Sequence, residues 1–400
     1  MKLQNGICEH EDDNNEKKAY WFAIVVLSLS AIIFVTAELL PIGVLQEIGD
    51  TYQQPVGKIG LIITGYAWVV AFSAVFVTSL FLKIERRILI IILLISFGLS
   101  NIIVSLSPNL TVLYIGRVIG AFSHGIFWSI VGPLAVRLSS EGGKVRATAL
   151  VFGGIAIASV GVVPLATLVS QRIGWELSFF ILGLSALVIS IFVRLSMPVV
   201  QHDKAQKTTS LMRVITQPYL RRTFPVTALA LCGNYCAFTY IGPLVETQIG
   251  ISHAKFPLFL LLFGVAGVAG NFISGFVSDK NLVLATRITL LLMALSVGSM
   301  GFLTDISLGT GIFMMVLWGA GICIITVTLQ SLVLNLAEDS GERPSSVHVA
   351  MFNIGIGSGA FLGGVLLDGF NIATVALTAS GLMLLALVLL LPKISLTPQK

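Results

Sequence analysis

Residues 197–222 read MPVVQHDKAQKTTSLMRVITQPYLRR, the one long polar interruption in an otherwise apolar chain. About 200 residues lie on either side, and the reading of those flanks decides the fold. Of 400 residues, 56% are hydrophobic and only 11% charged, with a mean hydropathy of +0.96. A soluble chain carries about 25% charged residues. A deficit spread over the whole length requires an integral membrane protein.

A bilayer core of ~30 Å needs ~20 apolar residues as a helix. Twelve segments meet that need, near 20–45, 57–82, 88–107, 110–138, 146–171 and 174–196, then 221–247, 254–279, 284–303, 307–336, 345–368 and 371–392. Several are longer than the minimum, which predicts tilt or extension into water. Continuous apolar runs exclude a β-barrel, whose ~10-residue strands would alternate. The expected class is all-α, with a six-helix half at 20–196, a central loop at 197–220, a second six-helix half at 221–392, and short tails at 1–19 and 393–400.

Orientation follows from the basic residues. With the N-terminus inside, 20 of the 24 Lys and Arg fall in the tails and even-numbered connections. Three (Lys58, Arg172, Lys255) fall in odd-numbered connections, and Arg117 lies within a span. Both termini are therefore expected in the cytoplasm. The same bias accounts for the net charge of +5 without any nucleic-acid partner. The first eighteen residues are polar and mixed in sign, unlike a cleavable signal peptide. Cys8, Cys232, Cys236 and Cys323 make neither a disulfide framework nor a zinc site, so no metal and no cofactor is expected.

The halves echo one another. TAELLPIG (36–43) in span one resembles TYIGPL (239–244) in span seven, with Pro41 and Pro243 spaced 202 apart. LKIERR (82–87) follows span two as GFVSDK (275–280) follows span eight. Two like-oriented halves of six spans form a parallel repeat, an arrangement of secondary carriers.

Ionisable groups inside spans are candidates for function because burying charge in lipid is expensive. Three stand out: Glu38, Arg117 and His124. Arg117 and His124 are seven apart and share a helix face, ~10 Å apart along the axis. Trp128 continues that face. Glu38 lies seven residues before the outer end of span one, and Arg117 seven after the outer start of span four. Both are thus ~10 Å deep and able to pair if their helices are neighbours. Only Glu38 and His124 can change charge under biological conditions. The alternative is a structural Glu38–Arg117 pair with His124 as a hydrogen-bonded core residue.

In the second half, the proline register places Tyr240 opposite Glu38 and Gly319 opposite Arg117. The polar groups there are neutral: Asn234, Tyr240, Gln330 and Asn353. They suit an uncharged solute, or else bond one helix to another. Tyr66 and Trp128 complete the candidate substrate cavity. Arg86, Arg87 and Asp279 are candidate gate residues, or simply mark the positive-inside bias. No phosphate loop or ATP-binding domain appears, which argues against a pump and against an enzyme.

TAELLPIGVL (36–45), GYAWVVAF (65–72), IERR (84–87), GRVIGAFSHGIFWSI (116–130) and FNIGIGSGA (352–360) together resemble the major facilitator superfamily. Within it, they resemble the twelve-span drug/proton antiporters, and more narrowly the bacterial sugar efflux transporters. The resemblance covers essentially the whole chain and implies the major facilitator fold. Arg117 then takes the place of the span-four arginine of proton coupling, and Glu38 that of the span-one acid. Arg86 and Arg87 fit the end of the family's gate motif, although Leu82 replaces its acid and Glu85 its late glycine. The span-five antiporter motif survives only as SVGVVPLA (159–166), with Pro164 kept.

The resemblance implies a monomeric carrier in a bacterial inner membrane. It would export sugars or sugar-like solutes (arabinose, thiogalactosides) against protons by alternating access. The rival readings are efflux of chloramphenicol-like drugs, efflux of purines or nucleosides, and a non-transporting sensor on the same fold.

Overall fold

A computed structural model describes residues 2–81, 84–139, 143–200, 214–276, 281–303, 306–336 and 343–391. Among these residues there is no strand. Eleven helices are long and apolar enough to cross a bilayer, and a bent pair makes the twelfth span. The spans are one Trp21–Gly43, two Val56–Val77, three Arg86–Ser105, four Leu110–Leu138, five Arg146–Ile173 and six Trp175–Ser196. Span seven is Leu220–Phe238 with Ile241–Ile249, followed by eight His253–Ser274, nine Leu282–Phe302, ten Leu308–Leu336, eleven Pro344–Gly369 and twelve Ile372–Leu390.

Local sequence accounts for the breaks. Span seven bends by 59° at Tyr240, whose φ of −110° and ψ of 29° lie outside the helical region. Pro243 then falls in the first turn of the new helix, where its missing N–H would have had no partner anyway. Pro41 instead lies inside the span-one helix, which ends at Gly43 before a short helix Leu45–Tyr52 begins. In span five a π-helical turn, Ala158–Val162, precedes Pro164 and absorbs its missing donor. Asn109 and Asn371 cap spans four and twelve, accepting from Val112 N at 3.1 Å and Thr374 N at 2.9 Å.

Small residues set the closest packing, as they do where lipid removes the hydrophobic drive between helices. Gly98 in span three faces the carbonyl of Gly183 in span six, and the reverse also holds, so a side chain at either would strike backbone. In span eleven, Gly355, Gly359 and Gly363 lie against the backbone of span seven at Ala228, Cys232 and Cys236. The glycines of FNIGIGSGAFLGG are thus a helix–helix seam.

Contacts between the first six spans and the last six gather toward the face of the odd-numbered connections. Gly57 N donates to Asp368 Oδ1 at 3.0 Å, joining spans two and eleven. Gln46 Nε2 donates to Glu246 Oε2 at 3.0 Å. Gln171 Nε2 donates to the carbonyl of His253 at 3.0 Å. Deeper, Gly264 of span eight lies against the π-helical turn of span five at Ser159 and Val160. The two groups of spans are closed against each other on this odd-loop face.

Candidate functional site

The site is built where spans one, two and four converge. Pro41 has no N–H, so the helical bond it would give to the carbonyl four residues earlier cannot form. That carbonyl belongs to Ala37, and Arg117 Nη1 donates to it at 2.7 Å. The Arg117 guanidinium also lies over the Tyr66 ring, 4.0 Å from its centroid, and 6.0 Å from that of Phe179. Its Nε and Nη2 are buried with no hydrogen-bond partner among the described residues.

The expected Glu38–Arg117 ion pair is not made. Glu38 Oε2 stands instead 3.5 Å from Nε2 of His124. That separation suits charge attraction but is long for a strong hydrogen bond. The other ring nitrogen, Nδ1, lies 2.8 Å from the hydroxyl of Tyr66. With the proton on Nε2, the imidazole turns its donor toward the carboxylate and accepts from Tyr66. The pairing fails for a local reason: the carbonyl freed by Pro41 competes for the arginine.

Depth and burial separate these groups. Arg117 and His124 are only 3% and 2% exposed, whereas the Glu38 side chain keeps 22%. Glu38 opens onto a cleft with Tyr66, Ala67 and Arg117 on one side and Tyr235 and Ile356 of the second half on the other. The cleft encloses only about 10 Å³, space for about one water molecule. In this conformation it has room for a proton's escort of water, not for a drug-sized solute. Phe34 meets His124 edge-on at 5.5 Å, and Trp128 lies 6.1 Å away. Trp128 therefore does continue the face of Arg117 and His124, packed also on Phe127 and Phe152.

The neutral residues of the second half do not gather with these. Asn234 is 1% exposed and accepts from Trp318 Nε1 at 2.8 Å, a bond between spans seven and ten. Tyr240 is fully buried at the bend of span seven and donates to the carbonyl of Ala360 at 2.8 Å. Its hydroxyl lies 3.4 Å from the carbonyl of Gly57, which puts it at the closed seam between the halves. Gln330 Nε2 donates to Ser345 Oγ at 3.2 Å. Asn353 Nδ2 donates to Val349 O at 3.0 Å within its own helix, and its Oδ1 is buried without a partner among the described residues.

Of the candidate gate residues, Arg87 Nη1 donates to the carbonyl of Met197 at 3.2 Å and its Nε lies 3.7 Å from Glu85. The backbone N–H of Arg86 bonds Val200 O at 3.3 Å. Both tie the turn after span two to the end of span six. Asp279 lies outside the described residues.

Two features escaped the sequence reading. Tyr235 lines the cleft from one turn before the TYIGPL echo, a position that register with Glu38 did not flag. At the odd-loop face, His253 holds Glu246 Oε1 through Nδ1 at 2.8 Å and Glu47 Oε1 through Nε2 at 3.1 Å. One imidazole thus joins the two halves. Each of these residues looked like an ordinary polar group at a span end, and only tertiary proximity gives them a role.

The sequence profile of the Major Facilitator Superfamily matches residues 22–347. Among solved structures, the chain is similar to a bacterial homologue of the human lysosomal transporter Spinster in its inward-facing, unoccupied conformation. The TM-score is 0.74 at 14% identity, covering 94% of this chain and 95% of that one. It is also similar to the human organic anion transporter MFSD10 (TETRAN), with TM-score 0.68, 16% identity and coverage of 94% and 99%. A POT family transporter in complex with a thioalcohol-conjugated peptide gives TM-score 0.75 at 10% identity, covering 93% and 95%. At these identities the likeness speaks for the fold, and the profile speaks for the lineage. With twelve spans, a polar cluster held between them and a profile match over most of its length, this chain belongs to the Major Facilitator Superfamily and is a membrane transporter, not an enzyme.

Proposed function

We propose that the protein is a proton-coupled secondary transporter that exports sugars or sugar-like solutes, such as arabinose and thiogalactosides, by alternating access. It works as a monomer in a bacterial inner membrane, with both termini in the cytoplasm and the odd-loop face outside. The halves at 20–196 and 221–392 move against one another about the central loop. Glu38 is the proton carrier, with Arg117 and His124 tuning it, and Trp128 borders the cavity.

One observation carries the coupling reading: the Glu38 carboxylate faces both His124 and a cleft shared by the two halves. A carboxyl so placed meets water from whichever side the halves open. It takes a proton when the cleft opens to the odd-loop face and releases it when the cleft opens to the other, while solute moves the opposite way. The sugar reading rests on the sequence resemblance and on the neutral polar groups of the second half. Asn353, with a buried Oδ1 that has no protein partner among the described residues, is the strongest of these for a solute hydroxyl.

The test is flux in proteoliposomes, with and without an imposed pH gradient, across arabinose, thiogalactosides, nucleosides and chloramphenicol. Gradient-driven movement of the first two supports the reading. Movement of chloramphenicol or nucleosides alone replaces the substrate class, and absence of any flux points to a sensor.

A further inference from the structure

The stretch TAELLPIG places a proline four residues after Ala37, and Arg117 is docked on the Ala37 carbonyl at 2.7 Å. An N–H at position 41 would cover that carbonyl in the ordinary helical ladder, and the proline ring also crowds it and tilts it outward. A buried guanidinium needs an acceptor, and a carbonyl with no helical partner is a good one. Arg117 takes it, with the Tyr66 ring beneath, and leaves the neighbouring Glu38 carboxylate to His124.

We infer that Pro41 is a positioning residue for proton coupling: by freeing the Ala37 carbonyl it parks Arg117 there, which keeps the guanidinium off Glu38 and leaves that carboxyl able to exchange a proton with the cleft. The inference rests on the proposed role of Glu38 as the proton site. The charged and titratable groups around that carboxyl are Arg117 and His124 from span four, Tyr66 from span two and Tyr235 from span seven. Of these, only Arg117 carries a permanent charge. Where its guanidinium sits therefore sets how readily Glu38 binds a proton.

The predicted consequence is specific. In Pro41→Ala the N–H of residue 41 bonds the Ala37 carbonyl and closes the helix over it. Arg117 turns to the next acceptor, Glu38, and direct pairing stabilises the carboxylate by about one to three pH units. The reading is direct, by modification of Glu38 with dicyclohexylcarbodiimide: a protonated carboxyl gives its proton to the carbodiimide nitrogen and adds through oxygen to the carbodiimide carbon, and the adduct rearranges to a stable N-acylurea. Labelling is followed by mass spectrometry of purified full-length protein from pH 5 to 9 (~0.5-unit steps), so no transport is needed. Pro41→Leu, which also restores the N–H, repeats the test should alanine leave the packing loose.

The expected result is a wild-type labelling curve that titrates, a midpoint about one unit more acidic in Pro41→Ala, and no such shift when the same change is made in Arg117→Gln. A midpoint unmoved in both proline variants, or a shift that persists without Arg117, overturns the inference and leaves the proton site standing. A wild-type curve that is flat across the range overturns the proton site itself, and this inference with it.

Discussion

Glu38 lies 3.5 Å from His124, and Arg117, its expected partner, is bonded to the backbone of the residue before it. A carboxylate facing a neutral imidazole is easier to protonate than one locked to a guanidinium, because the charged form has a weaker partner. Glu38→Gln fixes the neutral state at this point. The expected outcome is loss of gradient-driven accumulation by at least ~10-fold, which is about 1.4 kcal/mol of coupling. Solute exchange between equal concentrations should stay within a few-fold of wild type. Accumulation that survives in Glu38→Gln liposomes removes Glu38 from the coupling role.

Tyr66 orients His124 through a buried 2.8 Å hydrogen bond to Nδ1. Removing the hydroxyl in Tyr66→Phe keeps the ring under Arg117 but frees the imidazole to change tautomer. A buried bond of this kind contributes about 0.5–1.5 kcal/mol. Thermal unfolding in detergent should therefore show a small loss, while the pH profile of transport moves. Tyr66→Ala, which also removes the ring beneath the guanidinium, should cost more on both counts. Equal effects from the two variants would show that the ring beneath the guanidinium adds nothing, and a Tyr66→Phe variant indistinguishable from wild type would show that the hydroxyl carries nothing.

Legibility in the sequence followed the physics of each feature. Spans were legible because bilayer thickness sets a length and apolarity sets a composition, so segments such as 88–107 and Arg86–Ser105 nearly coincide. Glu38, Arg117 and His124 were legible because charge in lipid is rare. Their partners were not. Helical register places Arg117 and Glu38 at one depth, yet it cannot say that a proline frees a competing carbonyl nearby. Register also set Tyr240 opposite Glu38, whereas the bend at that residue turns the phenol into the seam with Gly57. The link from Glu47 to His253 spans 206 residues and depends wholly on how the halves meet.

Asn234 shows how a polar residue in a span can be structural. Its Oδ1 accepts the indole N–H of Trp318 at 2.8 Å, and both side chains are buried. Asn234→Leu leaves that donor without a partner, at a cost of about 1–3 kcal/mol. The expected outcome is a lower melting temperature with solute affinity unchanged in the folded fraction. Trp318→Phe in the Asn234→Leu background removes the orphan donor and should recover part of the loss. A selective loss of solute affinity, with stability unaltered, would move Asn234 back into the binding site.

His253 links the two halves across the odd-loop face, meeting Glu47 of one half and Glu246 of the other. Gln46 and the segment at Gln171 brace it, with Asp50, Arg172 and Lys255 as the nearby charges along the chain. Burial holds the Glu47 carboxyl above its ordinary value, with His253 pulling the other way. The imidazole attracts both carboxylates only when protonated, and a free histidine titrates near ~6.5. Closing this face around His253, between two carboxylates, therefore binds a proton on the imidazole. By linkage, a state that binds more protons is favoured as pH falls and loses that advantage as pH rises through the titration. Spin labels at Pro55 and Ala254, in a Glu38→Gln background so that Glu38 does not contribute, should report a closed population that shrinks between about pH 5 and 8. His253→Gln should flatten that dependence and enlarge the open population several-fold at acid pH. A pH response unchanged by His253→Gln would mean that another titrating group sets it and that the imidazole does not control the closed face.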